Sequence, residues 1–252
     1  MSLIPDRDRL TAALVALLAR TSPWLEPELA GLSDIVRPGA VCVDVGAAAG
    51  LYTLVLSDLV GPDGQVHSVE PLSFAHPAWS RLLGARDRPN VRRHTLALSE
   101  KPGDIALSVP IGRHGPVTGR SFLTWQTDGV GSNAEFLDHA DVLVPVDTLD
   151  HLCADLTRLD FVKIDVEGAE LQVLRGGVDT IEALKPSLLL EIEARHLTRY
   201  RYAVEDVTQW LTSRGYVMHV WQHGWQPTAT VCAHARNYLF RPAEQVRRCP
   251  TG

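Results

Sequence analysis

The sequence predicts an α/β fold built on a mostly parallel, seven-stranded sheet with helices on both faces. Three observations carry that prediction. Short apolar runs of the kind that form strands buried on both faces recur along the chain, amphipathic segments of helical period separate them, and a small-residue turn, Gly46 to Gly50, joins the first strong run to a helix.

Taken in order, Leu10, Leu14, Leu17 and Leu18 fall at helical spacing and predict an amphipathic helix over 6–20. Residues 1–38 read as a helical segment packed on the core. Pro23, Pro27 and the Arg37-Pro38-Gly39 turn punctuate the chain before AVCVDV, residues 40–45, the first strand. The next helix carries Leu51, Leu54, Val55 and Leu59 on one side, and the turn 61–64, GPDG, feeds a second strand over 65–69 that ends at Glu70-Pro71. This is a β-α-β unit. A helix over 74–83 and a third strand over 90–96 follow.

The rhythm then breaks. Residues 105–110 and 141–146 read as extra strands around a Gly/Ser/Thr-rich stretch, 112–133, that has no period. An insertion over about 105–146, between the third and fourth core strands, is expected near the mouth of a site, because long irregular loops in compact domains are commonly functional. The alternation resumes with a strand over 161–165, a helix from about Ala169, a strand over 187–192, a helix over 204–214 and a strand over 216–221. Residues 236–241 are expected to pair antiparallel at the sheet edge. The core domain thus spans 39–242, with a tail over 243–252.

With 252 residues, 45% of them hydrophobic, the chain can bury one full core. A formal net charge of -6 denies it the broad positive field that captures phosphate backbones, so nucleic acid is not the expected partner. Cys42, Cys153, Cys232 and Cys249 form no CxxC pair, which signals neither a disulfide framework nor a zinc site. No apolar stretch is long enough to span a bilayer, and a cytoplasmic location without membrane attachment is expected.

In an open parallel sheet, ligands bind beyond the carboxyl ends of the strands. The first strand ends in Asp44-Val45-Gly46-Ala47-Ala48-Ala49-Gly50. A dinucleotide fingerprint would read GxGxxG, and a triphosphate loop would add Lys-Ser/Thr; this loop has neither. Asp44 beside it would repel a pyrophosphate, and Glu70 at the end of the second strand can accept hydrogen bonds from ribose hydroxyls. An ordinary strand-to-helix turn would also suit glycine and alanine. Together with the two acids, however, the loop favours S-adenosylmethionine, with exposed loop N–H groups facing its carboxylate.

The segments VDVGAAAGLYTL, GQVHSVEP, VPVDTLDHL, FVKIDVEGAELQVLRGG, PSLLLEIE and NYLFRP, in that order, make the chain resemble the FkbM family of S-adenosylmethionine-dependent methyltransferases. The resemblance implies the Rossmann-like class I methyltransferase fold and O-methylation of a sugar, polyketide or other natural product. It places Asp44, Gly46, Ala47, Gly50, Tyr52, Thr53 and Glu70 around the cofactor, and Pro71 and Ser99 are expected there as well. One departure stands out: the family loop commonly carries Asn where this chain has Ala48.

Methyl transfer to an alcohol needs the oxygen held in line and its proton removed. Asp165, at the end of its strand, or His196 is the expected proton acceptor, with Glu191 positioning it. Acids in DVEGAE could instead cap the helix that follows. A magnesium ion on Asp165, Glu191 and Glu193 is a minority reading, and no ligand spacing signals a metal. His219 and His223, in HVWQHGW, read as surface or core residues. N- or carboxyl-methylation, an NAD-dependent oxidoreductase and a non-catalytic adenosyl binder are the alternatives. A homo-oligomer stays open.

Overall fold

The computed structural model describes residues 25–72 and 88–247. The helices expected over 6–20 and 74–83 lie outside them. Among the described residues thirteen strands are formed. They are β1 (Val41–Val45), β2 (Gln65–Val69), β3 (Val91–His94), β4 (Ala97–Leu98), β5 (Gly103–Gly112), β6 (Gly115–Pro116), β7 (Phe122–Leu123), β8 (Asp138–Asp147), β9 (Phe161–Ile164), β10 (Ser187–Glu191), β11 (Tyr216–Trp221), β12 (Trp225–Pro227) and β13 (Asn237–Pro242).

The main sheet has the order β12-β11-β13-β10-β9-β1-β2-β3. It has eight strands, not the expected seven, because β12 folds back on β11 and adds an edge strand. The last long strand is also not at the edge. β13 lies between β10 and β11 and runs antiparallel to both, burying both faces of NYLFRP. An apolar strand gains more burial from an interior place than from an edge, where its ladder would stay open.

Alternation along the strands explains why they read as continuous apolar runs. Val43, Val45, Val162, Ile164, Leu188 and Leu190 join one core cluster, while Cys42, Phe161, Leu189 and Leu239 join another. Successive side chains point to opposite faces, and both faces are covered. The helix Leu51–Val60 packs on the second face and the helix Val204–Thr212 on the first.

The expected extra strands belong to a separate five-stranded sheet, ordered β4-β8-β5-β6 with β7 also on β5. Its spine is the antiparallel pair β5 and β8, in register from Gly103↔Val146 to Ile111↔Asp138. Leu107, Val109, Leu123, Val144 and Val146 form its small core with Leu72 and Ala97. The stretch without sequence period is shaped instead by single contacts. The buried Arg199 guanidinium sits 3.7 Å from the Phe122 ring centroid, and its Nε donates to the Val130 carbonyl at 3.2 Å.

At the other end of the main sheet, His67 and His94 stack with ring centroids 5.2 Å apart, and Nδ1 of the first is 3.1 Å from Nε2 of the second. Burial, then the charge of the neighbouring imidazole and of Arg92, pushes His67 down from 6.5 to about 4, and burial lowers His94 too. The unfolded chain therefore takes up protons more readily than the folded one below about pH 6.5. This stability is present above the unfolded value and is lost as pH falls toward 4. The melting temperature is expected to drop over that window, and less in His67→Leu than in the parent; equal acid profiles would contradict this account.

Candidate functional site

The carboxyl ends of β1, β2, β9 and β10 open into a cavity of about 250 Å³, roofed by residues of the second sheet. Gly46, Ala48, Glu70 and Pro71 line it, as do Asp165, Glu167 and Glu191 and the apolar Phe122 and Leu123.

Gly46 has φ +78°, and a Cβ there would lie 1.8 Å from the Asp165 carbonyl oxygen. Only glycine lets the loop pass this close to β9. The Gly46 and Ala47 N–H groups donate to the Val69 carbonyl at 3.0 and 3.1 Å, and Ala48 N–H donates to Glu70 Oε2 at 2.9 Å. Three of the loop donors expected to face an anion are therefore spent on the sheet and on Glu70. Glu70 also accepts from Leu72 N–H at 2.8 Å. Ala48 itself has φ 46°, a left-handed conformation that asparagine tolerates better than alanine. A backbone preference accounts for the Asn common in the resembling family without any side-chain contact.

Several expected cofactor residues lie behind the cavity wall. Asp44 is buried and accepts from Thr53 Oγ1 at 2.6 Å; that hydroxyl also contacts Ser68 at 2.9 Å. Burial, offset in part by Thr53, pushes Asp44 up to about 6. Tyr52 is buried with its hydroxyl on Glu26. Gly50 caps the helix start, Ala47 packs beneath the loop, and Ser99 is fully buried with its hydroxyl 3.1 Å from Gln172 Oε1. These residues shape the loop and are not on the cavity lining.

The acids after β9 and β10 are organised by a lysine that sequence reading left without a role. Lys163 is 1% exposed and donates to Asp165 Oδ2 at 3.1 Å and to Asn237 Oδ1 at 3.0 Å. Burial alone would lower its pKa, but the charges of Asp165, Glu26 and Glu191 outweigh that and raise it. Asn237 passes the network to Glu26, 3.2 Å away, which lines the cavity. Strand arithmetic could have found this group: Asp44, Lys163, Glu191 and Asn237 are each two or four residues from an apolar position on the same sheet face. Glu26 carries no such signal, since it precedes the first strand.

The turn after β9 does not use Asp165 or Glu167 as its cap. Glu170 takes that role, accepting from Val166 and Gly168 N–H at 3.2 and 3.1 Å. Glu167 has φ 57°, its carbonyl is held by Arg199 at 2.8 Å, and a Cβ on Gly168 would lie 2.4 Å from the His196 carbonyl oxygen. The turn thereby presses Glu167 against His196, whose Nδ1 is 3.1 Å from Oε2. Burial, then Asp165, pushes Glu167 up to about 8; burial and Asp165 raise Glu191 as well.

His196 is buried, is pushed down to about 4 by burial and by Arg195, and is not on the cavity lining. Asp165 and Glu191 do line it. Glu193 turns away to Arg195, with contacts of 2.7 and 3.0 Å, so Asp165, Glu191 and Glu193 are not gathered as a magnesium site. His219 is a buried strand residue bonded to the Val217 carbonyl. No helix among the described residues is long and apolar enough to cross a membrane.

The chain is similar to several known proteins. The chain is 29% identical over 185 residues to AMB antimetabolite synthetase AmbE of Pseudomonas aeruginosa, covering 63% of this chain and 8% of that protein. It is 35% identical over 88 residues to the rRNA 2'-O-methyltransferase fibrillarin of Caenorhabditis elegans, covering 34% and 20%. The chain thus spans a small part of either relative. Among solved structures, Methyltransferase FkbM from Methylobacillus flagellatus aligns with a TM-score of 0.48 and 17% identity over 94% of this chain and 56% of that one. The Methyltransferase FkbM domain matches residues 44–218, from the acid that opens the glycine loop through the two acidic strand ends to β11. With that match over most of its length, the chain belongs to the FkbM methyltransferase domain family and has its Rossmann-like class I fold.

Proposed function

We propose that the chain is an S-adenosylmethionine-dependent methyltransferase acting on a hydroxyl of a small acceptor, such as a sugar or another natural product. The observation that carries this reading is one cavity lined by two chemically distinct groups: the small-residue loop with Glu70, and the carboxylates of Asp165, Glu167 and Glu191. The cofactor, when bound, supplies an activated methyl group. Gly46 and Ala48 leave room for it, and Glu70 accepts from its ribose hydroxyls.

The chain's remaining work is orientation and one proton. Asp165, fixed by the Lys163 ammonium, stands on the acceptor side and takes the hydroxyl proton. Glu191, on the cavity lining with Asp165, positions the acceptor. Phe122 and Leu123 supply an apolar wall, and the carboxyl groups accept from hydroxyls while repelling phosphates, which speaks for a small acceptor over RNA.

Calorimetry with S-adenosylhomocysteine tests the cofactor half. Binding is expected, with none for NAD. Glu70→Ala should weaken it roughly ten- to hundred-fold, the worth of one or two hydrogen bonds to a charged group. Absence of binding in the folded parent protein would overturn the assignment.

A further inference from the structure

We infer that Glu167, Glu191 and His196 form a binding site for a divalent transition-metal ion on the acceptor side of the cavity. One ligand atom from each of the three lies within 4.8 Å of the others, and this is the group of at least three such side chains so arranged among the described residues. Two carboxylates and an imidazole suit manganese, iron or zinc better than magnesium or calcium, which favour all-oxygen sets.

The convergence is built by the backbone. The left-handed Glu167, the Gly168 contact with the His196 carbonyl and the Arg199 clamp on the Glu167 carbonyl hold the turn against the segment that carries His196. Holding a non-glycine residue in that conformation is strained, and such strain concentrates at functional sites.

A second observation concerns the atoms themselves. Ser132 Oγ lies 3.2 Å from Arg199 Nη2 and 3.0 Å from His196 Nδ1. Nδ1 also lies 3.1 Å from Glu167 Oε2, a buried oxygen with no further hydrogen-bond partner. One proton, on the carboxyl group or on the imidazole, can bridge these two atoms, and a metal ion can take its place with both as ligands. Ser132 stays hydrogen-bonded to Arg199 when the ion is bound. Nε2 lies 3.8 Å from Glu193 Oε1. Arg120 pairs with Glu167 Oε2 through Nε at 3.6 Å and is held in place by Glu135 at 3.1 Å and Asn133 at 3.0 Å, so the ion would share that carboxylate with it.

The test reads the ion directly, so it stands apart from the methyl-transfer reading. Chelator-treated full-length protein is titrated with manganese(II) alone, followed by electron paramagnetic resonance, with S-adenosylhomocysteine binding measured separately. One tightly held ion is expected, with nitrogen spin-echo modulation from one imidazole. Glu167→Gln, nearly isosteric, should weaken binding about ten-fold or more, and His196→Gln should abolish the nitrogen signal. No bound ion in folded protein would mean that a proton on Glu167 fills the gap, and would overturn the site. So would an ion lacking nitrogen coupling, or one held equally well by Glu167→Gln.

Discussion

Asp165→Asn is expected to lower methyl-transfer turnover by roughly two to four orders of magnitude, the usual contribution of a positioned general base. The side chain lines the cavity beside Glu167 and Glu191, and Lys163 holds its Oδ2 at 3.1 Å. The amide retains the shape and can still accept a hydrogen bond from the lysine, so the loss concerns the proton. Affinity for S-adenosylhomocysteine should change little, because that binding is assigned to Glu70 and the loop. Turnover should fall without a matching rise in KM. The buried ammonium loses a charged neighbour, so the melting temperature is to be measured on the same variant. Glu26 and Glu191 remain near Lys163 and limit that loss. Near-normal turnover would remove Asp165 from the chemistry and leave it as the partner that keeps Lys163 charged.

Gly46→Ala should produce the second large effect, on both fold and cofactor. Its Cβ would lie 1.8 Å from a backbone oxygen of the adjoining strand, which cannot swing aside as a flexible side chain would. Left-handed strain and overpacking together cost about 3 kcal/mol or more, a large share of the ordinary stability of a domain. The comparison that isolates the cause is Gly39→Ala. Gly39 has the same φ of +78° but nothing within 4 Å of its would-be Cβ, so it reports strain without collision. Urea unfolding should show a much lower midpoint for the Gly46 variant than for the Gly39 variant, and only the first should lose S-adenosylhomocysteine binding. Equal shifts would place the cost in the backbone conformation alone and not in the approach of the loop to β9.

By itself the sequence determined the strand and helix segments and the chemistry of the first turn, because these depend on period and on turn residues within a short window. β1, β2, β9, β10 and β11 stand within a residue or so of where alternation puts them, and the small residues 46–50 do form the turn between β1 and its helix. Only the tertiary structure decided strand order and which polar side chains meet. β13 entered the sheet interior because an apolar strand buries more there, and it brought Asn237 to Lys163. Thr53, Ser99 and Asp44 turned inward, away from the cavity, while Glu26, far upstream of the strands, reached it. His196 left the proton-transfer position to meet Glu167, through a turn whose shape depends on Arg199, a residue more than thirty positions away. Such meetings are set by packing between distant segments, for which no local pattern exists.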